Sequence, residues 1–327
     1  MRVCATVVTH NRKALLAECL EAILAQTSPV ERVYVIDNAS TDGTREFLAE
    51  RGLLARDEIV LLRLDRNAGS SGGFARGIAA AREDDCDWIW VMDDDAEPRA
   101  DALEGLLAAP AAEDPSTAVL CSAVVSPSGA MQPLHRGHIR GRPRALPLSA
   151  YGAGAPTLGF ATWVGMLIRT QAARAIDPPR EDFFIWADDY EYSYRLLTQG
   201  SIRLVADSVI VHKDEGFGGA YTNRRSRWWN RLFGWDFEPT PYSGAWRNLC
   251  GIRNWVWIKR HYEGESVAGF LGTTAQFVLK ALLYDERPLR RIPWLIRFAV
   301  EGRRGVFRNI SPQEWGARAG GGATRLP

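Results

Sequence analysis

Short apolar runs alternate with amphipathic segments along the first 125 residues. The runs are apolar on both faces and rich in Val, Ile and Leu, and each predicts a buried strand. They cover residues 3–8, 32–36, 59–64 and 88–92. After each run, apolar positions recur at helical spacing. These predicted helices cover residues 14–25, 44–51, 73–82 and 100–108. The alternation predicts an α/β fold with a mostly parallel central sheet covered by helices.

The pattern is weaker in the second half of the chain. Residues 126–158 are rich in Pro, Gly, Arg and Ser and predict an irregular excursion. A strand is predicted over residues 160–168 and a helix over residues 189–197, before two short strands that end at His212. Residues 213–241 have no clear period and predict a loop.

The composition argues against several classes of protein. A formal net charge of +1 gives no basic field, which argues against a nucleic-acid partner. No run of 18 apolar residues occurs, so no transmembrane helix is predicted. The five cysteines form no C-x-x-C pair, and we interpret Cys4, Cys86 and Cys121 as small core residues rather than a disulfide framework. This usage is typical of a reducing compartment and predicts a cytoplasmic protein.

The strongest chemical signal is three consecutive carboxylates, Asp93, Asp94 and Asp95, directly after an apolar strand. Ligands of open α/β sheets bind at the carboxyl ends of strands, where this triplet lies. Carboxylate oxygens suit hard divalent cations such as Mg²⁺ and Mn²⁺. Alternate residues of an extended chain share a face, so Asp93 and Asp95 are predicted to point the same way. A solvated acidic turn that caps the next helix is the alternative interpretation.

Two further polar segments follow strands. Asp37 closes the second strand, where its carboxylate can accept a hydrogen bond from a base or a ribose hydroxyl. An Asx turn and a helix cap explain the polar residues after it. Residues 66–77 hold a Gly-rich turn before a helix, where backbone N–H groups favour an anion. This turn matches neither the G-x-G-x-x-G nor the P-loop pattern, and most such turns have no ligand.

A second acidic cluster, at residues 182–195, opens a predicted helix. Acidic side chains there complement the helix dipole, but one carboxylate can also act as a general base toward a hydroxyl. Arg195 follows Glu191 at i+4 and predicts an ion pair that orients the acid. His212 is a plausible metal ligand only together with the acidic triplet, because a lone histidine is more often a packed residue.

In this order, these elements resemble the family-2 glycosyltransferases with the GT-A fold, over roughly residues 3–255. The resemblance implies a GT-A nucleotide-sugar-binding fold and an inverting transfer of sugar from a nucleotide-sugar donor. It also implies which residues bind that donor. They are Thr9, Asn11, Arg12, Asp37, Asn38, Asn67, Gly72, Gly73, Asp93 and Asp94.

The remaining roles also follow from the resemblance. The acidic triplet matches the family's D-x-D element, which binds sugar, ribose and Mg²⁺ or Mn²⁺. The implied metal ligands are Asp93, Asp95 and His212. The element that carries the catalytic base matches Asp188, Asp189 and Glu191. Its second acid usually acts as the base, which implies Asp189. The acceptor-side strand of the family matches at Trp163 and Gly165.

The resemblance divides the chain into three regions. A GT-A catalytic domain is expected over residues 1–240, with a nucleotide-binding half over about 1–125 and an acceptor-side half over about 126–240. A helical C-terminal region is expected over residues 241–315. Residues 316–327 contain consecutive glycines and are expected to form a disordered tail.

Residues 71–74, 87–95 and 184–189 are similar to the actinobacterial galactofuranosyltransferase and rhamnosyltransferase group. This similarity implies UDP-galactofuranose as donor, with dTDP-rhamnose as the alternative. The implied acceptor is a polyprenyl-diphosphate-linked cell-wall or polysaccharide glycan. Two other classes stay open, a nucleotidyltransferase and a non-catalytic nucleotide-sugar-binding protein. The first would need a basic Gly-rich signature near the N-terminus, and the second would not need Asp189.

The C-terminal helices combine Trp, Leu and Arg, a composition typical of helices that lie on an anionic membrane surface. This composition predicts peripheral contact with the inner face of the plasma membrane. Packing against the catalytic domain or against a second subunit of a homo-oligomer explains it equally well.

Overall fold

A computed structural model describes residues 1–140, 142–152, 154–213, 228, 231–232, 239–310 and 314–316. The chain divides into two compact units. The first unit comprises Met1–Glu181 and Asp188–Asp214, and the second comprises Asp182–Ala187 and Glu215–Pro327. The predicted loop over residues 213–241 and the predicted tail over residues 316–327 lie largely outside the described residues.

The first unit contains a nine-stranded sheet. Its N-terminal strands are β1 (Val3–Thr9), β2 (Arg32–Asp37), β3 (Ile59–Arg63) and β4 (Trp88–Asp93). They pair in parallel in the order β3-β2-β1-β4. The other strands of this sheet are β5 (Ala96–Pro98), β6 (Thr117–Val125), β9 (Thr157–Leu158), β11 (Met166–Arg169) and β12 (Ser201–His212). The order continues from β4 as β11-β6-β12-β5, with β11 antiparallel to both neighbours and β12 parallel to β6.

A second, three-stranded sheet has the order β10-β7-β8. Its strands are β7 (Arg136–Arg140), β8 (Arg142–Ala145) and β10 (Phe160–Ala161). The helices of the first unit are α1 (Lys13–Leu24), α2 (Thr44–Glu50), α3 (Gly69–Ala81), α4 (Ala102–Ala108), α5 (Pro110–Glu113), α6 (Thr170–Arg174) and α7 (Asp188–Leu196). Short 3-10 helices occur at Leu53–Ala55, Pro133–His135, Leu148–Gly152 and Glu181–Phe183.

The central sheet is buried on both faces. All residues of β1 are buried, and they alternate between two cores. Val3, Ala5 and Val7 join the core that contains α1 and α4, whereas Cys4 and Val8 join the core that contains α3 and α7. The prediction of an α/β fold with a doubly covered sheet is therefore confirmed.

Three expectations for the second half need correction. Residues 160–168 do not form one strand, because Gly165 turns the chain with φ of +72° and separates β10 from β11. Residues 126–158 are not irregular throughout, since they contribute β7, β8 and β9. The two short strands expected before His212 are one strand, β12, with a register shift between Val205 and Val209.

The cysteine interpretation was wrong for one pair. Cys4 in β1 and Cys86 just before β4 form a disulfide, with their Cα atoms 6.0 Å apart. The two residues are separated by 82 positions, so only the parallel pairing of β1 with β4 brings them together. Cys19, Cys121 and Cys250 are buried free thiols.

Helix α3 packs on β1 through glycines. A Cβ atom at Gly73 would lie 2.4 Å from Val8 Cγ1, and one at Gly77 would lie 2.0 Å from Thr6 Oγ1. Both distances are far below van der Waals contact, so only glycine permits this approach of the helix to the sheet. The predicted start of this helix at residue 73 is corrected to Gly69, so Gly72 is a buried helical residue rather than part of a turn before the helix.

The substitution Gly77→Ala tests this close packing. It should destabilise the protein by about 1–3 kcal/mol, because the new methyl group overlaps Thr6. The matched control is Gly105→Ala in α4, where the nearest atom to a new Cβ is 3.7 Å away. That control should be neutral or stabilise by up to about 1 kcal/mol. Urea unfolding of both variants measures the difference, and equal midpoints would contradict the packing argument.

The second unit contains the long helices of the C-terminal part of the chain. Its helices are α8 (Ala245–Tyr262), α9 (Val267–Leu283) and α10 (Pro288–Arg304). Apolar residues of α8 and α10 form its core, among them Trp246, Leu249, Leu295 and Phe298. Helix α9 buries only Thr273 and Ala281 against the described residues. No helix in the described ranges is long and apolar enough to cross a membrane.

Two buried residues of α8 hold an unusual segment of backbone. Phe184, Trp186 and Ala187 all have φ near +65°, a region that non-glycine residues rarely occupy. Asn254 Nδ2 donates to the carbonyl oxygens of Phe183, Ile185 and Trp186 at 2.8 to 3.1 Å. Arg253 donates to the same Phe183 carbonyl and to the Asn254 side chain. These bonds compensate part of the conformational strain.

Candidate active site

The acidic triplet begins at the last residue of β4 and lies beside the end of β1, because these strands pair in parallel. Thr9 Oγ1 donates to Asp94 Oδ2 over 2.7 Å. Arg12 Nη1 donates to Asp94 Oδ1 over 3.2 Å and to Asp95 Oδ2 over 2.5 Å. The structure therefore brings together Thr9, Arg12 and Asp94, three of the residues implied for the donor.

The triplet concentrates negative charge in a buried place. Asp94 and Asp95 are 4% and 5% exposed. Burial, and then the charges of Asp95 and Asp94, raise the pKa of Asp93 well above its usual range. Burial also raises the pKa of Asp94 to about 6. Within the described residues, the guanidinium of Arg12 compensates only part of this charge, and a bound cation would compensate more.

Asp95 has a second partner, His212, at the end of β12. His212 Nε2 lies 3.3 Å from Asp95 Oδ1. Burial opposes ionisation of Asp95, but interactions with His212 and Arg12 outweigh it and lower its pKa. Asp95 Oδ1 is buried and accepts no hydrogen bond of good geometry within the described part of the chain. A carboxylate oxygen and an imidazole nitrogen this close together suit a divalent cation.

Asp93 is not part of that pair. Alternation along β4 places it on the side of the core that contains α3, and the charge of Asp188 contributes to its raised pKa. Among the described residues, Asp93, Asp95 and His212 do not bring three ligand atoms within 4.8 Å of one another. Three other side chains do have ligand atoms within this distance of one another. They are the disulfide-bonded Cys4 and Cys86 and the neighbouring Asp84.

Asp188 opens α7 and is fully enclosed. Its Oδ2 accepts from Trp163 Nε1 over 2.9 Å and from Ser70 Oγ over 3.3 Å. The Trp163 ring also stacks on Phe74, with centroids 4.6 Å apart. Burial raises the pKa of Asp188 to about 6, although these hydrogen bonds act in the opposite direction. Trp163, implied as an acceptor-side residue, therefore also orients a carboxylate.

Asp189, which the resemblance implies as the base, follows Asp188 in α7. It is half-buried, and its Oδ1 accepts the backbone N–H of Tyr190 over 2.7 Å. Within the described ranges, no side chain donates a hydrogen bond to it. Burial, followed by the charge of Asp188, raises its pKa well above the ordinary range of an aspartate. A carboxylate tuned in this way is suited to accept a proton near neutral pH.

Glu191 has a different role from its two acidic neighbours. It is buried, and both carboxylate oxygens accept from Arg195, over 2.9 and 2.7 Å. The ion pair predicted at i+4 is confirmed. Arg195 also donates to the carbonyl oxygens of Asp177 and Pro178. This pair therefore engages both carboxylate oxygens of Glu191 with a charged partner.

Asp37, implied for the base of the nucleotide, is fully buried at the end of β2. Its Oδ1 accepts the backbone N–H of Ser40 over 2.8 Å, and its Oδ2 accepts from Arg63 over 2.9 Å. This bond spans three residues rather than the two of an Asx turn, and α2 begins after Gly43 without a side-chain cap, so the expected Asx turn and helix cap are corrected here. The Arg63 side chain is 49% exposed and was not identified from the sequence. Asp37 is therefore paired with a guanidinium, that of Arg63, which is accessible to solvent.

The asparagines of the implied donor site connect loops to one another. Asn38 Nδ2 donates to the Gly69 carbonyl, and its Oδ1 accepts the Ala68 N–H, over 2.8 and 2.7 Å. Asn67 Oδ1 accepts the Gly69 N–H at the start of α3. Asn11, with φ of +57°, accepts the Thr41 N–H over 2.7 Å. These side chains give the edge around Thr9 and Asp37 a defined shape.

Besides Arg63, sequence patterns missed three residues near this site, all from the excursion over residues 126–158. Arg136 is fully buried and donates to the carbonyl oxygens of Ser122, His135 and Val164. Its charge is one of the influences that lower the pKa of Asp189. Gln132 and His135 lie against His212. Burial lowers the pKa of His135 to about 3.

Comparison with known proteins assigns the chain to a family. The sequence profile described as "Glycosyl transferase family 2" matches residues 4–176, more than half of the chain. The chain belongs to this family. It is a glycosyltransferase, and the resemblance inferred from its motifs is confirmed.

Two curated relatives are more specific. The chain is 32% identical over 205 residues to "Galactofuranosyltransferase GlfT1" of Mycolicibacterium smegmatis, which covers 61% of this chain and 66% of the relative. It is 35% identical over 203 residues to the protein of the same name from Mycobacterium tuberculosis, which covers 60% of this chain and 64% of the relative. The chain thus spans slightly less than two thirds of the length of each.

Solved structures confirm the predicted GT-A fold. GalNAc-T7 with UDP, GalNAc and Mn²⁺ matches with a TM-score of 0.60 and 14% identity, over 94% of this chain and 58% of that one. Residues 1–349 of TarS from S. aureus, in complex with UDP, match with a TM-score of 0.51 and 13% identity, over 98% and 92% of the two chains. At this identity the likeness concerns the fold alone.

The pH dependence of sugar transfer tests the pairing of Asp188 with Asp189. A general base must be ionised, so a raised pKa means that activity is lost on acidification at a higher pH than an ordinary aspartate, near 4, would cause. We expect the acidic limb of kcat/KM at a higher pH than an ordinary aspartate would give, from the direction of the Asp189 shift. Asp188→Asn removes the like charge and should move that limb to lower pH. A limb that does not move in this variant would refute the electrostatic link.

Proposed function

We propose that this glycosyltransferase is inverting and metal-assisted, and that it transfers galactofuranose from UDP-galactofuranose to a hydroxyl of a polyprenyl-diphosphate-linked glycan. The observation that carries the proposal is the combination of Asp189, a half-buried carboxylate with a raised pKa, with the acidic triplet in the same unit. The donor sugar is taken from the two galactofuranosyltransferases that the chain resembles.

The proposed reaction is one displacement at the anomeric carbon. Asp189 takes the proton of the acceptor hydroxyl while the hydroxyl oxygen bonds to that carbon from the face opposite the leaving group. The bond from the anomeric carbon to the diphosphate oxygen breaks, and the nucleoside diphosphate leaves with the electron pair. Asp188, held by Trp163 and Ser70, raises the basicity of Asp189 through its charge.

The same proposal assigns the metal. Asp95 and His212 would hold Mg²⁺ or Mn²⁺, which would neutralise the diphosphate of the donor. The buried Asp95 Oδ1 beside His212 Nε2 fits this role. The fold relative GalNAc-T7 has Mn²⁺ in its structure, which supports a divalent ion here. Arg12, on the exposed side of Asp94 and Asp95, adds a positive charge where the diphosphate would lie.

Asp37 and Arg63 would bind the nucleoside end of the donor. The half-exposed guanidinium of Arg63 can donate to a base carbonyl or a phosphate while it keeps its bond to Asp37. Asn11, Asn38 and Asn67 would shape this end of the site through the loops that they connect. In this proposal Gly73 acts by packing α3 on Val8 of β1, whereas Gly72 lies against Ala68 at the start of the same helix.

A donor screen with Asp189→Asn tests the proposal directly. Wild-type protein is offered UDP-galactofuranose, dTDP-rhamnose, UDP-glucose and UDP-galactose with a synthetic polyprenyl-diphosphate glycan, and products are detected by mass spectrometry. We expect transfer of galactofuranose, lost on chelation and restored by Mn²⁺. Asp189→Asn should lose transfer by about 10²- to 10⁴-fold while its donor affinity stays unchanged.

The exposed carboxylate variant Asp177→Asn is the matched control and should keep full activity. Transfer of rhamnose instead would replace the donor assignment. Full transfer by Asp189→Asn would overturn the base assignment. Donor binding without any transfer or hydrolysis would indicate a non-catalytic binding protein.

We propose further that α9 contacts an anionic lipid surface, where a polyprenyl-linked acceptor resides. No charged residue occurs between Val267 and Leu279, and Val267, Leu271 and Leu279 are at least half exposed among the described residues. Leu289, at the start of α10, is 80% exposed between the exposed residues Arg287 and Arg290. Exposed apolar side chains flanked by arginines are typical of helices that bind at a membrane interface.

The double variant Leu271→Glu, Leu279→Glu tests this contact. It should reduce co-sedimentation with vesicles of phosphatidylglycerol and phosphatidylcholine by at least tenfold, because two carboxylates enter the apolar face. Leu148→Glu, at an exposed leucine of the first unit, is the control and should bind as wild type does. If the double variant keeps its vesicle binding but changes from dimer to monomer in light scattering, the face is a subunit interface.

A further inference from the structure

The proposed metal ligand His212 contacts two residues that no motif identified. Its Nδ1 lies 3.2 Å from Gln132 Oε1. The same Gln132 oxygen lies 3.2 Å from His135 Nε2. The two imidazole rings meet edge to face, with centroids 4.8 Å apart. One amide oxygen is therefore shared by two histidines on the side of His212 away from Asp95.

The chemistry of these contacts determines where the protons lie. An amide oxygen only accepts, so both facing nitrogens must carry hydrogen. In the neutral form of His212 the proton is then on Nδ1, and Nε2, which lies 3.3 Å from Asp95 Oδ1, has the lone pair that a cation requires. For His135 the proton is on Nε2, and its Nδ1 accepts the Thr162 hydroxyl over 2.7 Å. Each of the four groups thus has one consistent role.

The backbone holds Gln132 firmly in this position. Its N–H donates to the Val124 carbonyl near the end of β6, over 2.8 Å, and Val125 bridges to Met131 beside it. Strand β6 is the direct neighbour of β12, which ends at His212. Arg136, just beyond His135, is anchored to the Ser122 carbonyl of β6. The carboxamide is therefore fixed relative to the imidazole that it contacts.

We propose that Gln132 is a positioning residue for the metal site, which keeps the proton of His212 on Nδ1 and so presents Nε2 to a divalent cation. His135 and Thr162 fix the orientation of the Gln132 amide. The inference rests on the proposed role of His212 as a metal ligand. Partners of this kind typically change metal affinity by about 10- to 100-fold when they are removed.

Metal binding provides the first test. Affinity for Mn²⁺ is measured by electron paramagnetic resonance of the free ion, with the full-length wild type and two variants of Gln132. Gln132→Leu should weaken binding by about 10- to 100-fold. Gln132→Glu retains an acceptor oxygen and should bind within a few-fold of wild type. Leu134→Ala, at an exposed neighbour, is the control and should not change the affinity. Thermal unfolding verifies that each variant is folded.

The proton position provides a second, independent test. Long-range ¹H–¹⁵N spectra of histidine-labelled, metal-free protein distinguish the two tautomers, and the signals of His212 are assigned by their loss in His212→Gln. We expect the Nδ1–H form in wild type and a larger share of the Nε2–H form in Gln132→Leu. Equal Mn²⁺ affinity in Gln132→Leu, or an Nε2–H form in wild type, would overturn the inference. If wild type binds no Mn²⁺, the proposed metal site itself is wrong, and the tautomer spectra decide separately whether Gln132 controls His212.

Discussion

Three carboxylates gathered in a buried place at the end of β4 are the constraint on which the site depends. Removing a charge from water costs free energy, and each carboxylate of the triplet has different neighbours. Asp94 is held by Thr9 and Arg12, whereas Asp95 is shared between Arg12 and His212. Burial, and then the charges of Asp95 and Asp94, raise the pKa of Asp93. The negative charge that remains is the physical reason to expect a cation at this edge of the sheet.

The second acidic pair is stabilised by the same layers that form the core. Helix α3 approaches β1 closely because Gly73 and Gly77 lack side chains. Its first turn then provides Ser70 to Asp188, and its Phe74 stacks on Trp163, which bonds to the same carboxylate. The packing of α3 in the core therefore also positions the Asp188 carboxylate. The position of Asp188 also affects Asp189, because the charge of one raises the pKa of the other.

Much of the local structure could be predicted from the sequence. The apolar runs located β1 to β4 within one residue at each end, because a strand buried on both faces needs an uninterrupted apolar sequence. The acidic residues after β4 and at the start of α7 were recognisable since each departs abruptly from its apolar surroundings. The ion pair of Glu191 with Arg195 was predictable because helical spacing alone brings those side chains together.

Contacts between distant segments were decided only by the tertiary structure. The disulfide of Cys4 with Cys86, the bond of Arg63 to Asp37 and the cluster of Gln132 and His135 on His212 all join residues without any periodic relation. Residues 126–158 show no periodic pattern, because their side chains contact residues of distant strands. The sequence by itself determined the first four strands, the helices between them and the positions of the acidic clusters along the chain. Which side chains meet, and which atoms they direct at a ligand, depended on strand order and on the close packing of α3 against β1, which no local pattern encodes.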